Sequence, residues 1–358
     1  PEPIETAFPP PVQRQWVRDL DAYPTATVVH TPDTEFGGMH LIEIARGCGR
    51  GCRFCLAGYL CRPKRERNVE AILQEARRGL GWTERIGLVG AAVSDYTNID
   101  ELVVRLREMG ARLSVSSLRV DPLSETLLRA LAESGTQTLT LAPEAGSERL
   151  RQIVNKGVTE ADLLFAAERA TAYRFRQLKL YFMLGLPTED DEDVEAIAAL
   201  CEATAARFHG RVTANVTPFV PKAHTPFQWM AMTPSEAIQD RLRKLERRLQ
   251  RQGIAVKSES PRWSAIQGIL SRGDRQLGPV LSSLRGRSLR AWDRAMAEHD
   301  IQPQDYLGSR ALDAGLPWQF IQTGVRTAYL RREWQRAQAA TATAPCPPSG
   351  CSQCGVCP

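Results

Sequence analysis

Cysteine is the residue through which this chain can do chemistry. Four cysteines, Cys48, Cys52, Cys55 and Cys61, crowd one short segment, and Cys346, Cys351, Cys354 and Cys357 crowd another, while Cys201 stands alone. The first set lies in Arg46-Gly47-Cys48-Gly49-Arg50-Gly51-Cys52-Arg53-Phe54-Cys55, a C-x3-C-x2-C run full of glycine. Glycine lets a backbone curl around a bulky ligand. Thiolates bind soft metals and are the usual ligands of iron–sulfur clusters. A four-iron cluster takes four cysteines, so three close thiolates leave one iron open to another molecule. The spacing permits Cys61 as the fourth ligand. It follows the apolar, helical-looking Leu56-Ala57-Gly58-Tyr59-Leu60, however, and reads as a small buried hydrophobe. Zinc is the competing metal, but zinc sites pair two two-ligand knuckles and no His lies nearby.

The second set, Cys346-x4-Cys351-x2-Cys354-x2-Cys357, has the close spacing of bacterial ferredoxin ligands and equally that of a compact zinc knuckle. An iron–sulfur cluster there would relay electrons or bind substrate, whereas zinc would fold the tail. Both metals stay open at this point.

The elements that must position these thiols alternate. His40 to Ile44, Arg85 to Val89, Leu113 to Ser117, Gln137 to Leu141, Gln177 to Leu184 and Arg211 to Val220 read as strands. Helical patterns fall between them, the first from Val69 to Gly79 and the last from Asp191 to Arg207. Six β-α units imply a parallel sheet with helical crossovers. The fold class is α/β, read as a partial (β/α)6 TIM-like barrel, although a doubly wound sheet has the same signature. From Pro234 helices dominate, giving a mainly helical C-terminal extension over 233–340 and a Cys-rich tail over 341–358, with the barrel core at 36–232. Residues 1–35 read as a linker, with Pro9-Pro10-Pro11 as its stiff part and a further domain expected upstream, since the chain opens on Pro1.

The 358 residues carry a net charge of +5, mostly through Arg, which permits an anionic partner without demanding one. The densest basic run, Arg241 to Arg251, holds Leu242, Leu245 and Leu249 at helical spacing, so an amphipathic helix with a solvated face is expected ahead of a nucleic-acid site. The longest apolar stretches, such as Leu178 to Leu186, have strand length and cannot span a bilayer. No charged-then-apolar leader is seen, and a cytoplasmic protein is expected.

The Cys48-x3-Cys52-x2-Cys55 run, with Phe54 before its last cysteine and a place after the first of six strands, resembles the radical S-adenosylmethionine (SAM) superfamily over roughly residues 36 to 232. The resemblance implies a [4Fe–4S] cluster on Cys48, Cys52 and Cys55 whose unique iron is chelated by SAM. It also implies a one-electron donor of flavodoxin or ferredoxin type and cleavage of SAM to methionine and a 5′-deoxyadenosyl radical. Further matches imply SAM-contacting residues. Glu144, ending the fourth strand, would meet the SAM ribose or amino group, though an acid there also suits a helix N-terminus. Ser117 and Arg119 would meet the SAM carboxylate, unless Arg119 only ties down a loop with Asp121. Ser94 stands where the superfamily has a Gly-Gly-Glu segment, Lys179 lies in an otherwise apolar strand, and Phe54 borders the cluster. Asn155-Lys156-Gly157 reads as a helix stop without chemistry.

The segments Glu43 to Arg67, Pro221 to Trp229 and the terminal Cys-Gly-Val-Cys are similar to a subgroup that carries an N-terminal cobalamin-binding domain, so cobalamin is expected through an upstream domain. The alternatives are a non-catalytic iron–sulfur or zinc protein and an RNA-modifying, methylthiotransferase-like enzyme, whose added RNA-binding β-barrel fits poorly with a helical C-terminus.

Overall fold

The computed structural model describes residues 11–347 and 350–357. Seven parallel strands form its centre: β1 (His40–Glu43), β2 (Arg85–Val89), β3 (Arg112–Ser114), β4 (Thr138–Glu144), β5 (Gln177–Leu184), β6 (Arg211–Pro218) and β7 (Ala255–Ser258). β1 pairs with β2 and β2 with β3; β4 pairs with β5, β5 with β6, and β6 with β7. A single parallel bridge, Leu118 to Leu141, joins the two groups, with the Leu118 N–H donating to Thr140 O at 3.0 Å. Each strand therefore lies beside its successor in sequence. A doubly wound sheet reverses direction at a switch point, so this order is that of an open TIM-like barrel.

The strands alternate as the pattern dictates. On β5, Leu178, Leu180, Phe182 and Leu184 are buried toward the helices, leaving Lys179, Tyr181 and Met183 on the inner face. The crossovers are α1 (Val69–Leu80), α2 (Ile99–Glu108), α3 (Glu125–Glu133), then α4 (Glu148–Ile153) with α5 (Glu160–Ala172), α6 (Asp191–Arg207) and α7 (Ser235–Arg251). Local caps start several of them. Ser147 accepts from Leu150 N–H, and Thr159 and Asp190 form capping boxes with Asp162 and Asp193.

The helix expected in the C-terminal extension is the crossover to a seventh strand. Ile238, Leu242, Leu245 and Leu249 of α7 join the barrel core. Burying each such side chain stabilises by about 1.5–3 kcal/mol, which fixes the helix to the barrel. Its basic face meets the carboxylates of the preceding helix: Arg248 pairs with Glu202 at 2.8 Å and Lys244 with Asp191 at 3.2 Å. That neutralisation matches the solvated-face reading. β7 is short, polar and largely exposed, with Val256 its one half-buried residue, so it gives little strand signal.

Beyond β7 the chain is helical: α8 (Pro261–Ser271), α9 (Leu277–Ser283), α10 (Leu289–Glu298), α11 (Pro303–Leu307) and α12 (Thr327–Gln338). α8 to α11 enclose a small core of their own, and α12 returns to the barrel mouth, where Ala337 packs with Ala145, Leu150 and Phe227. Residues 1–10 of the expected linker, Pro9 and Pro10 among them, lie outside the described residues. The rest of that stretch is laid against the body: Val12 pairs with Ile321, Ala26 bridges Ile42, and the Arg67 guanidinium donates to the carbonyls of Leu20 and Tyr23. Among the described residues no helix is long and apolar enough to cross a membrane.

Candidate metal centre

The Cys48 loop follows β1, where the chain rises out of the barrel. Gly47 and Gly51 have φ of 86° and 77°, the left-handed region open to glycine at no steric cost. A side chain on Gly47 would also strike the Cys61 and Pro63 carbonyls, so the loop closes tightly on the segment after it. Cys52 is buried, and Cys48 and Cys55 are half-buried. The Cys55 N–H donates to Cys52 O at 3.1 Å, and the Arg50 N–H points to Cys48 Sγ at 3.5 Å. Burial pushes the Cys55 thiol up to about 11, and Cys52, Cys48 and Glu144 push it the same way. Burial likewise raises Cys48. These thiols bind a metal by exchanging their protons for it, which makes loading pH-dependent. Among the described residues no three His, Cys, Asp or Glu side chains close on a point fit for a lone metal ion.

Charged side chains that the spacing does not single out hold this loop. Arg50 forms a two-pronged pair with Asp95, both contacts at 2.8 Å. Arg53, between two of the cysteines, is fully buried. It pairs with the equally buried Glu333 of α12 at 3.2 Å and donates to Ile153 O at 2.9 Å, Gln152 O at 3.0 Å and Thr341 O at 2.6 Å. Asn155 donates to Arg50 O and Gly51 O and accepts from the Thr343 N–H at 2.8 Å. Lys156 pairs with Glu144 at 2.8 Å. The Asn155-Lys156-Gly157 stretch does end a helix, but its first two side chains also serve the site. An Arg inside a ligand motif was the one sequence signal for this network; Glu333, 280 residues away, gave none.

The residues expected at SAM divide. Glu144, the last residue of β4, has φ 70°, uncommon for a residue with a side chain, and stands within electrostatic reach of Cys55. Strain of this kind gathers at functional sites. Glu144 borders a cavity of about 370 Å³ shared with Tyr181, Met183 and Asn215, whose buried Oδ1 has no hydrogen-bond partner among the described residues. Phe54 packs against the buried cluster that holds Leu186, Ala145 and Leu150, as Met183 of β5 also does. Ser94 accepts from the Arg119 N–H at 3.3 Å. The Arg119 guanidinium donates to the main-chain oxygens of Asp121, at 3.2 Å, and Lys156, at 2.8 Å, so here it ties loops together. Lys179 is half-buried one step below Tyr181, in register with Thr140 and Thr213, and Ser117 is exposed. Cys61 caps the short helix after the loop. Cys201 lies in the barrel core, its thiol pushed up to about 12 by burial.

The two cysteine sets, distant in sequence, meet. The Cys346 N–H donates to Gly49 O at 2.8 Å, directly beside Cys48. A cavity of about 270 Å³ is lined by Cys48 together with Cys346, Cys351, Cys354 and Cys357.

Known proteins place this geometry. The radical SAM superfamily model matches residues 42–201. An uncharacterized protein of Methanocaldococcus jannaschii, MJ0966, is 37% identical over 73% of this chain and 58% of its own length. The tRNA-2-methylthio-N(6)-dimethylallyladenosine synthase of Prosthecochloris aestuarii is 28% identical over 34% of this chain and 30% of its own. The chain thus spans little more than half the length of one of these relatives and under a third of the other. Among solved structures, the radical SAM methyltransferase TsrM of Kitasatospora setae, with cobalamin and a [4Fe–4S] cluster bound, aligns over 55% of this chain and 41% of its own at 16% identity and a TM-score of 0.43. With the family match running through both the Cys48 loop and Glu144, the chain carries a radical SAM domain over residues 42–201.

Proposed function

We propose that this chain is an enzyme that binds SAM at a [4Fe–4S] cluster held by Cys48, Cys52 and Cys55 and cleaves it reductively. The observation that carries this reading is the placement of three thiols on one glycine-turned loop at the barrel mouth, with Cys55 within electrostatic reach of the strained Glu144. The donor set fits: three thiols leave a fourth corner for an exogenous ligand. When bound, the cluster supplies one electron to the sulfonium and breaks its bond to the 5′ carbon. The protein's share is positioning. Glu144 accepts from the SAM amino or ribose groups, and Lys156 holds its carboxylate. Phe54 and Met183 shield the site from water. Asn215 offers an unpaired acceptor on the cavity wall to SAM or substrate. Ser94, Ser117, Arg119 and Lys179 keep the SAM-contacting roles that the resemblance implies, though none of them lines this cavity.

The electron donor in this reading is a flavodoxin- or ferredoxin-class protein, and a cytoplasmic enzyme is the location that goes with it. The likeness to the cobalamin-associated subgroup adds cobalamin, held by an upstream domain. The test is electron paramagnetic resonance of the anaerobically reconstituted, reduced chain. SAM is expected to shift the signal of the Cys48 site, and Cys55→Ala to abolish both signal and shift. A signal indifferent to SAM contradicts the reading.

A second reading, tRNA methylthiolation, is favoured by the 28% identical relative. It requires a methylthio product on tRNA incubated with the reconstituted enzyme, which nucleoside mass spectrometry reports.

A further inference from the structure

The cavity between the two cysteine sets bears on a metal choice that spacing leaves open. A tetrahedral zinc site draws its sulfurs to about 2.3 Å from one ion and encloses no space. Here Cys346, Cys351, Cys354 and Cys357 line a chamber of about 270 Å³, which suits a ligand of several atoms. Lys64 and Glu66 line the same chamber and pair with each other at 2.6 Å, so Arg62 is the lining residue that sets positive charge against an anionic cluster. The thiols are set by a turn built for them. Gly350 and Gly355 have φ of 78° and 90°, and the Arg326 N–H of the segment leading into α12 donates to Cys354 O at 2.9 Å. Cys354 is buried among Tyr59, Trp229, Trp318 and Leu330, which keep water from that side, whereas Cys346 is exposed. Cys48 belongs to this chamber too, and Gly49 O accepts the Cys346 N–H across the wall.

We propose that Cys346, Cys351, Cys354 and Cys357 hold a second iron–sulfur cluster, sharing a wall with the Cys48 site closely enough for the two to exchange an electron. The coupling rests on the reading of Cys48, Cys52 and Cys55 as the first cluster site; the second set of ligands does not. A flavodoxin- or ferredoxin-class donor gives up one electron at the exposed Cys346 side, leaves oxidised by one electron, and the electron crosses at the Gly49–Cys346 hydrogen bond. No bond forms or breaks in that transfer.

The test is iron and sulfide analysis with electron paramagnetic resonance on the full chain, reconstituted anaerobically and fully reduced. Three forms are compared: wild type, Cys351→Ala/Cys357→Ala, and Cys48→Ala/Cys52→Ala/Cys55→Ala. About eight iron atoms are expected in wild type and about four in each variant, as two four-iron clusters require. Wild type is also expected to show a spin–spin splitting that both variants lack. If the Cys351→Ala/Cys357→Ala chain fails to fold, the triple variant alone reports the second site through its iron content. Zinc in the triple variant, with no iron, overturns the proposal. So does a wild-type spectrum equal to the sum of the two variants' spectra, which removes the coupling. Iron that survives the triple substitution, in a wild type holding only about four atoms, sinks the first-site reading and the coupling while leaving the second ligand set standing.

Discussion

Arg53 shows how one side chain can couple a ligand loop to the end of the chain. Its guanidinium is fully buried, and five acceptors from three separate segments converge on it. Removing one member of a buried pair leaves the other charge unpaired, at a cost of about 3–5 kcal/mol. Arg336 still pairs with Glu333 at 3.1 Å, so Arg53→Met should lower the unfolding free energy by somewhat less than that amount in denaturant titration, and Arg53→Met/Glu333→Met should recover part of it. Equal stability of Arg53→Met and wild type would contradict the assignment. The thiols themselves are legible in sequence because ligand spacing is local. The pairings of Arg53 with Glu333, and of Asn155 with Thr343, are not, since long-range partners of a polar side chain leave no periodic trace. Lys156 was readable as a helix end and proved also to be the partner of Glu144.

At the scale of elements, the turn after β5 is held by a carboxylate. Glu189 is buried and accepts from the Gly185 and Leu186 N–H groups, with Arg241 of α7 at 2.5 Å. Burial pushes its carboxyl up to about 7 against the pull of the two N–H donors and Arg241. A folded-state value above the unfolded one means that its stabilising contribution is present at low pH and fades as pH rises through about 7. Relative to Glu189→Gln, wild type should therefore lose stability between about pH 5 and about pH 8, measured by denaturant unfolding at several pH values. A difference that is flat or rises over that window contradicts the account. The first six strands were legible because apolar runs alternate with amphipathic helices. β7 was not, since its Ala-Val-Lys-Ser carries almost no apolar pattern and depends on β6 for its pairing. The helix before it was legible as a helix, but its place on the barrel follows from packing, which sequence periodicity does not report.

For the whole molecule, the C-terminal extension does more than follow the barrel. α12 brings Glu333 beneath the cysteine loop, and the strand-less segment after it runs through Thr341 and Thr343 to set Cys346 against Gly49. Two cysteine groups, read separately in sequence, thereby become one region of the folded chain. What substrate the barrel receives is decided by the side chains lining its cavity, Tyr181, Met183 and Asn215 among them, and no motif names their partner. The central claim is reductive cleavage of SAM. Its most direct measurement is chromatographic detection of 5′-deoxyadenosine after the anaerobically reconstituted chain is mixed with dithionite and SAM. Wild type should form 5′-deoxyadenosine and methionine, and Cys55→Ala should form neither. A reduced, cluster-loaded wild type that leaves SAM intact, with or without a cobalamin-binding domain supplied, would contradict it.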